Sequence, residues 1–139
     1  MKSSERGDVT IEAVVGVLAL FLIFGLGLVG LRVLVADAAI DDAARSAARA
    51  ASIARDGQAA AVTADRRARA VLAEQRLACS SLDVAVDARD FAKSLGETGY
   101  VVATVTCVVP LVDLAPGIGG SKTLRSQFRS PIDRYGARS

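Results

Sequence analysis

The chain has no tryptophan and no histidine, and aromatic residues make up only 4% of it. Without histidine there is no imidazole to activate a serine or cysteine nucleophile, and the commonest nitrogen ligand of a transition metal is missing. No serine stands in a G-x-S-x-G elbow. Ser121-Lys122 follows Gly119-Gly120, but GIGGSKT does not fit the G-x-x-x-x-G-K-[ST] frame and reads as a turn. Two distant cysteines, Cys79 and Cys107, do not complete a tetrahedral metal site. The sequence therefore predicts no catalytic residue, no metal and no cofactor, and does not read as an enzyme. The charges nearly balance, at a net +2, which gives no ground for nucleic-acid binding.

Charge is also missing locally. From Ala13 to Leu31 about 19 residues pass without an ionisable side chain, near the length a helix needs to cross a bilayer core. Lys2 and Arg6 precede this run, so the positive-inside rule places the N-terminus in the cytoplasm and everything after Leu31 outside. Arg32 closes the segment, its stem in lipid and its guanidinium wet. Glu12 stands at the entry, where a carboxylate asks for a partner or a function unless it reaches back to water. A secretory signal cut near Ala38, in Ala36-Asp37-Ala38, is the rival reading. The apolar run is longer than the ~7–15 residues of a signal core, and Glu12 sits inside its entry, which argues against that reading.

Beyond the apolar run, no proline or glycine interrupts Val33 to Arg55, and alanine dominates it. A helix over roughly Val9 to Arg55 would be about 70 Å long. Ala36, Ile40, Ala43, Ala47, Ala50 and Ala54 follow a coiled-coil spacing, and Asp41 and Asp42 are placed to pair with Arg45 along the helix. Asp56-Gly57 is the first stop, with Gly57 suited to a left-handed cap. A second helix is predicted from about Ala59 to Leu77, its apolar face made of Ala61, Ala64, Ala68, Val71 and Leu72. Arg66, Arg67, Arg69 and Arg76 lie mostly elsewhere and read as a solvated face rather than an adhesive patch.

The period then changes to two. Leu82, Val84 and Val86 alternate with Asp83, Ala85 and Asp87 in a first strand. Phe91 and Leu95 are expected to pack in the connection, with turns at Gly96 and Gly99. Tyr100 to Val109 is β-branched almost throughout and ends at Pro110. Leu124 to Ile132 alternates against Arg125, Gln127 and Arg129, a third strand with a basic polar side. The expected fold is α+β: a long N-terminal transmembrane helix continuing into an extracytoplasmic helix, a second helix, and a small antiparallel sheet of about three strands. Cys79 and Cys107, both outside the membrane on this reading, are expected to form a disulfide, the alternative being two buried thiols.

A short basic leader, then Gly7, then an apolar helix with Glu12 at the fifth position after the glycine: this resembles the processing site of type IV pilins and pseudopilins. With the alanine-rich helix and small β region, the chain looks most like the TadE-like minor pilins of tight-adherence systems. The resemblance implies cleavage after Gly7 by a prepilin peptidase, so that the mature chain begins at Asp8. The family usually begins its mature chain with an apolar residue, so Asp8 departs from its pattern. The resemblance also implies that Glu12 pairs with the freed amino group of a neighbouring subunit during assembly. The domains that follow are a leader over 1–7, a transmembrane and spine helix over 8–57, and an extracytoplasmic helix with a small β domain over 58–139. The implied partners are the peptidase, other pilin subunits, the assembly platform and membrane lipid, at a bacterial inner membrane and in a pilus or secretion pseudopilus. Two readings compete with it: a membrane-anchored extracytoplasmic binding domain that never polymerises and needs no Glu12, and the secreted protein cut near Ala38.

Overall fold

A computed structural model describes residues 5–94 and 96–132, with side chains from Thr10 onward. The backbone of residues 5–8, Gly7 and Asp8 among them, falls inside the first helix; residues 1–4 of the expected leader, and Leu95, lie outside the described residues. The architecture is α+β, with a long apolar N-terminal helix, two further helices and a three-stranded antiparallel sheet. The chain divides into two compact units, Met1–Leu34 and Val35–Ser139.

The first helix, α1, spans Glu5–Ser52. Within the first unit its described side chains are exposed around the whole circumference, with only Val29 and Val33 half-buried. Burial begins at Ala36, one residue past the division between the units. From there Ala36, Ala39, Ile40, Ala43, Ala44, Ala47, Ala48 and Ala51 form the packed face of α1. This face is wider than the narrow seam expected from a coiled-coil spacing and keeps the 3.6-residue period of a straight helix. The drift moves burial onto Ala51 and leaves Ala50 and Ala54 only half-buried.

The second helix, α2, spans Gly57–Glu74 and buries Ala60, Ala64, Ala68, Val71 and Leu72. Ala60 takes the place expected for Ala61, which is exposed: steps of four from Leu72 back through Ala68 and Ala64 land on Ala60. Gly57 is not a left-handed cap of α1. It opens α2, where Asp56 is the N-cap and accepts a hydrogen bond from the Ala59 N–H at 2.8 Å. The approach here is close: a Cβ on Gly57 would meet the Ala88 Cβ at 3.2 Å, so a larger residue has room only if Ala88 shifts by a few tenths of an ångström.

The left-handed cap is at the other end of α2, on Arg76 at φ 55°. The Arg76 N–H bonds back to the Ala73 carbonyl and the Leu77 N–H to the Leu72 carbonyl, the paired bonds that close a helix through a left-handed residue. That conformation costs a non-glycine residue roughly 1–2 kcal/mol, so sequence alone favours glycine for the role. Here the closing hydrogen bonds hold an arginine in it.

The sheet is a meander in the order β1 (Ser81–Asp87), β2 (Tyr100–Pro110) and β3 (Ser121–Pro131), with β2 central and both pairings antiparallel. Register places Val84 beside Val105 and Val105 beside Ser126, so one face carries Leu82, Val84, Val86, Val101, Ala103, Val105, Cys107, Leu124 and Phe128. All five β2 members of that face are under 2% exposed once Val109 is included, making β2 the centre of the core. The β1–β2 connection contains a single 3₁₀ turn over Arg89–Ala92, with Phe91 half-buried in it. Gly99 is buried against it, and a Cβ there would lie 3.2 Å from the Asp90 carbonyl oxygen and 3.3 Å from Ile132. A four-residue helix, α3 (Leu111–Leu114), follows Pro110 and leads to β3. The turn expected over GIGGSKT is shorter than the sequence suggests: Ser121, Lys122 and Thr123 already belong to β3, where pairing with β2 sets Lys122 beside Val109.

Candidate functional site

Helix α1 has the length and composition to cross a membrane, and none of its most apolar window is buried. Phe21, Leu22, Ile23 and Phe24 are consecutive and each 65–69% exposed, so no side of the helix turns away from its surroundings. A surface helix of a globular protein shows one apolar stripe, whereas a helix apolar all round is the kind found in a protein core, a membrane span or a signal sequence. Glu12 is exposed near the start of this stretch, and no ion pair to it forms among the described residues. The four glycines of the segment have no neighbour within 4 Å of where a Cβ would stand.

In the second unit Cys79 and Cys107 form a disulfide with Cα atoms 5.5 Å apart. It ties the segment leaving α2 to the buried middle strand, and next to it the Ser80 N–H donates to the Val108 carbonyl at 2.8 Å.

Charges on α1 that the sequence pairs along the helix are taken up by tertiary partners instead. Asp41 accepts a hydrogen bond from the Ser126 hydroxyl on β3, and Asp42 accepts one from the Gln75 side-chain amide at 3.3 Å. Arg45 lies over the Phe128 ring, 5.3 Å from its centroid. Helical spacing permits an ion pair, but the sheet and the end of α2 offer each group a partner that also fixes packing.

The opposite face of the sheet is solvated and split by charge. Asp83 and Asp87 project from β1, Arg125 and Arg129 from β3, and Val102, Thr104, Thr106 and Val108 of β2 lie between them. One end of this face opens into a depression of about 610 Å³ bordered by Asp87, Arg89, Asp90, Tyr100 and Arg129. Arg129 stacks on Tyr100 at 3.6 Å from the ring centroid. Side-chain hydrogen bonds from Arg89, joined by its backbone N–H, hold the Asp87 carboxyl down at about 2. Asp90 is also lowered, first by its hydrogen bond with Lys93 and then by the Tyr100 N–H it accepts at 2.9 Å.

Both carboxylates have a folded pKa below their unfolded value, so the stabilisation they give is full above about pH 4 and is lost as pH falls through the folded value. The Asp87–Arg89 pair is open to solvent, so its loss weakens this corner without unfolding the unit. A carboxyl ¹³C titration should place the Asp87 midpoint near 2 and move it up towards the ordinary range, about 3.9, in Arg89→Ala. An unchanged midpoint in that variant would remove Arg89 as the cause.

Gly7, Asp8 and Glu12 thus share the N-terminal stretch of α1, while Cys79 and Cys107 are joined in the second unit. Among the described residues no cluster of three metal-ligating side chains occurs. No family model matches the chain, and no curated protein or solved structure is detectably similar to it. Sequence reasoning missed the charge opposition across β2. Its two halves are visible as alternation in β1 and β3, but the register that sets them opposite one another is not.

Proposed function

We propose that this chain is a TadE-like minor pilin or pseudopilin subunit. On this reading α1 anchors it in the inner membrane with the N-terminus cytoplasmic, and the second unit is extracytoplasmic. A prepilin peptidase cuts after Gly7, and the mature chain, beginning at Asp8, packs laterally with other subunits on an assembly platform. The observation that carries the proposal is the combination in α1 of an all-round exposed apolar helix with Glu12 at its entry, five residues after Gly7. The disulfide supports an oxidising compartment for the second unit.

The test is the mass of the mature N-terminus in the membrane fraction. A chain starting at Asp8 is the expected result. A start near Ala39 would replace the proposal with a secreted protein, and an intact Met1 would leave a membrane-anchored domain that is not a pilin.

A further inference from the structure

We infer that the solvated face of the sheet is a self-complementary docking surface for a second copy of this chain, paired about a two-fold axis parallel to β2. The inference uses the second unit alone and does not depend on cleavage after Gly7.

Register puts two charged rows across the face. Asp87, Val102 and Arg129 are in one, and Asp83, Thr106 and Arg125 in the other, with Ala85, Thr104 and Gln127 between the rows. Strands are about 4.8 Å apart, so an acid on β1 and a base on β3 in one row stand roughly 10 Å apart, too far to pair within the sheet. Asp83 and Arg125 are both exposed, and neither has an ion-pair partner among the described residues.

A facing copy supplies those partners in only one of the two symmetric arrangements. An axis parallel to β2 lays β1 over the second copy's β3 with rows aligned, so Asp83 meets Arg125 and Asp87 meets Arg129, twice each. An in-plane axis across the strands lays β1 over β1, carboxylate against carboxylate, and β3 over β3. The first arrangement also brings together the half-buried β-branched strip of β2, inside a charged rim, as interfaces are built. Lipid would have to bury four charges on this face, and a polyanion would meet the β1 carboxylates.

At standard spacings the three strands cover roughly 350 Å² per copy, less than half of the ~800 Å² per partner of a stable interface. The pair is therefore weak and forms only where copies are concentrated. Being two-fold, it is closed, and cannot by itself propagate a filament. Any assembly into a polymer uses other surfaces.

The test is cross-linking of the full chain in vesicles. Thr104 lies beside the axis, and both native cysteines are in the disulfide, so Thr104→Cys carries the one free thiol. Facing sheets are about 10 Å apart, so a short bis-maleimide is used rather than direct oxidation. Thr104→Cys should give a dimer band well above that of Val62→Cys, an exposed position on α2. Adding Arg125→Asp should cut the band about tenfold by placing a carboxylate opposite the second copy's Asp83 at both symmetric contacts. Adding Asp83→Arg as well should restore it. All these positions are solvent-facing, so folding is preserved in each variant, as circular dichroism will show. A band no stronger than that of Val62→Cys, indifference to Arg125→Asp, or failure of the double swap to restore would each overturn the inference. The Asp8 N-terminus is read separately, so either result stands without the other.

Discussion

Replacing Cys79 and Cys107 together by alanine should destabilise the second unit by roughly 3–4 kcal/mol on the chain-entropy account of a loop of this length. The bond spans a sequence separation of 28 residues. Domains of this size are stable by only about 5–15 kcal/mol, so the loss is a large part of the total. It falls on a unit whose helices bury mainly alanine, which removes little apolar area from water per residue. Alanine is preferred to serine because Cys107 is fully buried and a hydroxyl there would lose its water. Since the chain lacks tryptophan, far-ultraviolet circular dichroism in urea is the natural readout, with the full chain in detergent. Reduced wild-type protein separates the cross-link from the lost sulfur volume: it keeps both sulfurs and should still lose most of that roughly 3–4 kcal/mol. If the double variant and the reduced protein both fell by less than about 1 kcal/mol, the loop-closure account would fail for this unit.

The parts of the fold legible in the sequence are those where one physical signal dominates. A run without charge longer than a signal core marks the exposed part of α1. Strict alternation marks β1 and β3, and the β-branched run from Tyr100 marks β2 and its end at Pro110. Where alanine fills most positions the signal fails, since shifting a template by one residue costs nothing. That is why burial falls on Ala51 and Ala60 rather than on Ala50 and Ala61. Tertiary partners defeat local rules in the same way. Asp41 and Arg45 have ideal helical spacing, yet each is held by β3, and Arg76 takes a backbone conformation that favours glycine. Of the candidate site, Gly7 and Glu12 are legible only as a spacing, whereas the charge-split sheet face needs a register that spans two strand pairings.

On the proposed pilin reading, Glu12→Ala should leave cleavage after Gly7 and membrane accumulation intact while abolishing filaments. An acidic side chain on a helix exposed on every side is unfavourable in lipid, by about 2.5–3.5 kcal/mol at the centre of a span and less towards its entry. Alanine at this position removes that cost and is the best helix former, so neither insertion nor helix formation is harmed. A role in anchoring alone therefore predicts normal or improved behaviour. A role in assembly predicts the reverse, because the freed amino group at Asp8 of an adjacent subunit would enter a low-dielectric packing without its counter-charge, and an unpaired buried charge costs several kcal/mol. Glu12→Asp keeps the charge on a shorter stem and should assemble partially, whereas Glu12→Gln keeps the size without the charge and should behave like Glu12→Ala. The measurement is the sheared surface fraction, probed for this chain, beside the mass of the membrane-bound N-terminus. Normal filament yield from Glu12→Ala with correct cleavage would remove Glu12 from assembly and leave its carboxylate as an interfacial group reaching water.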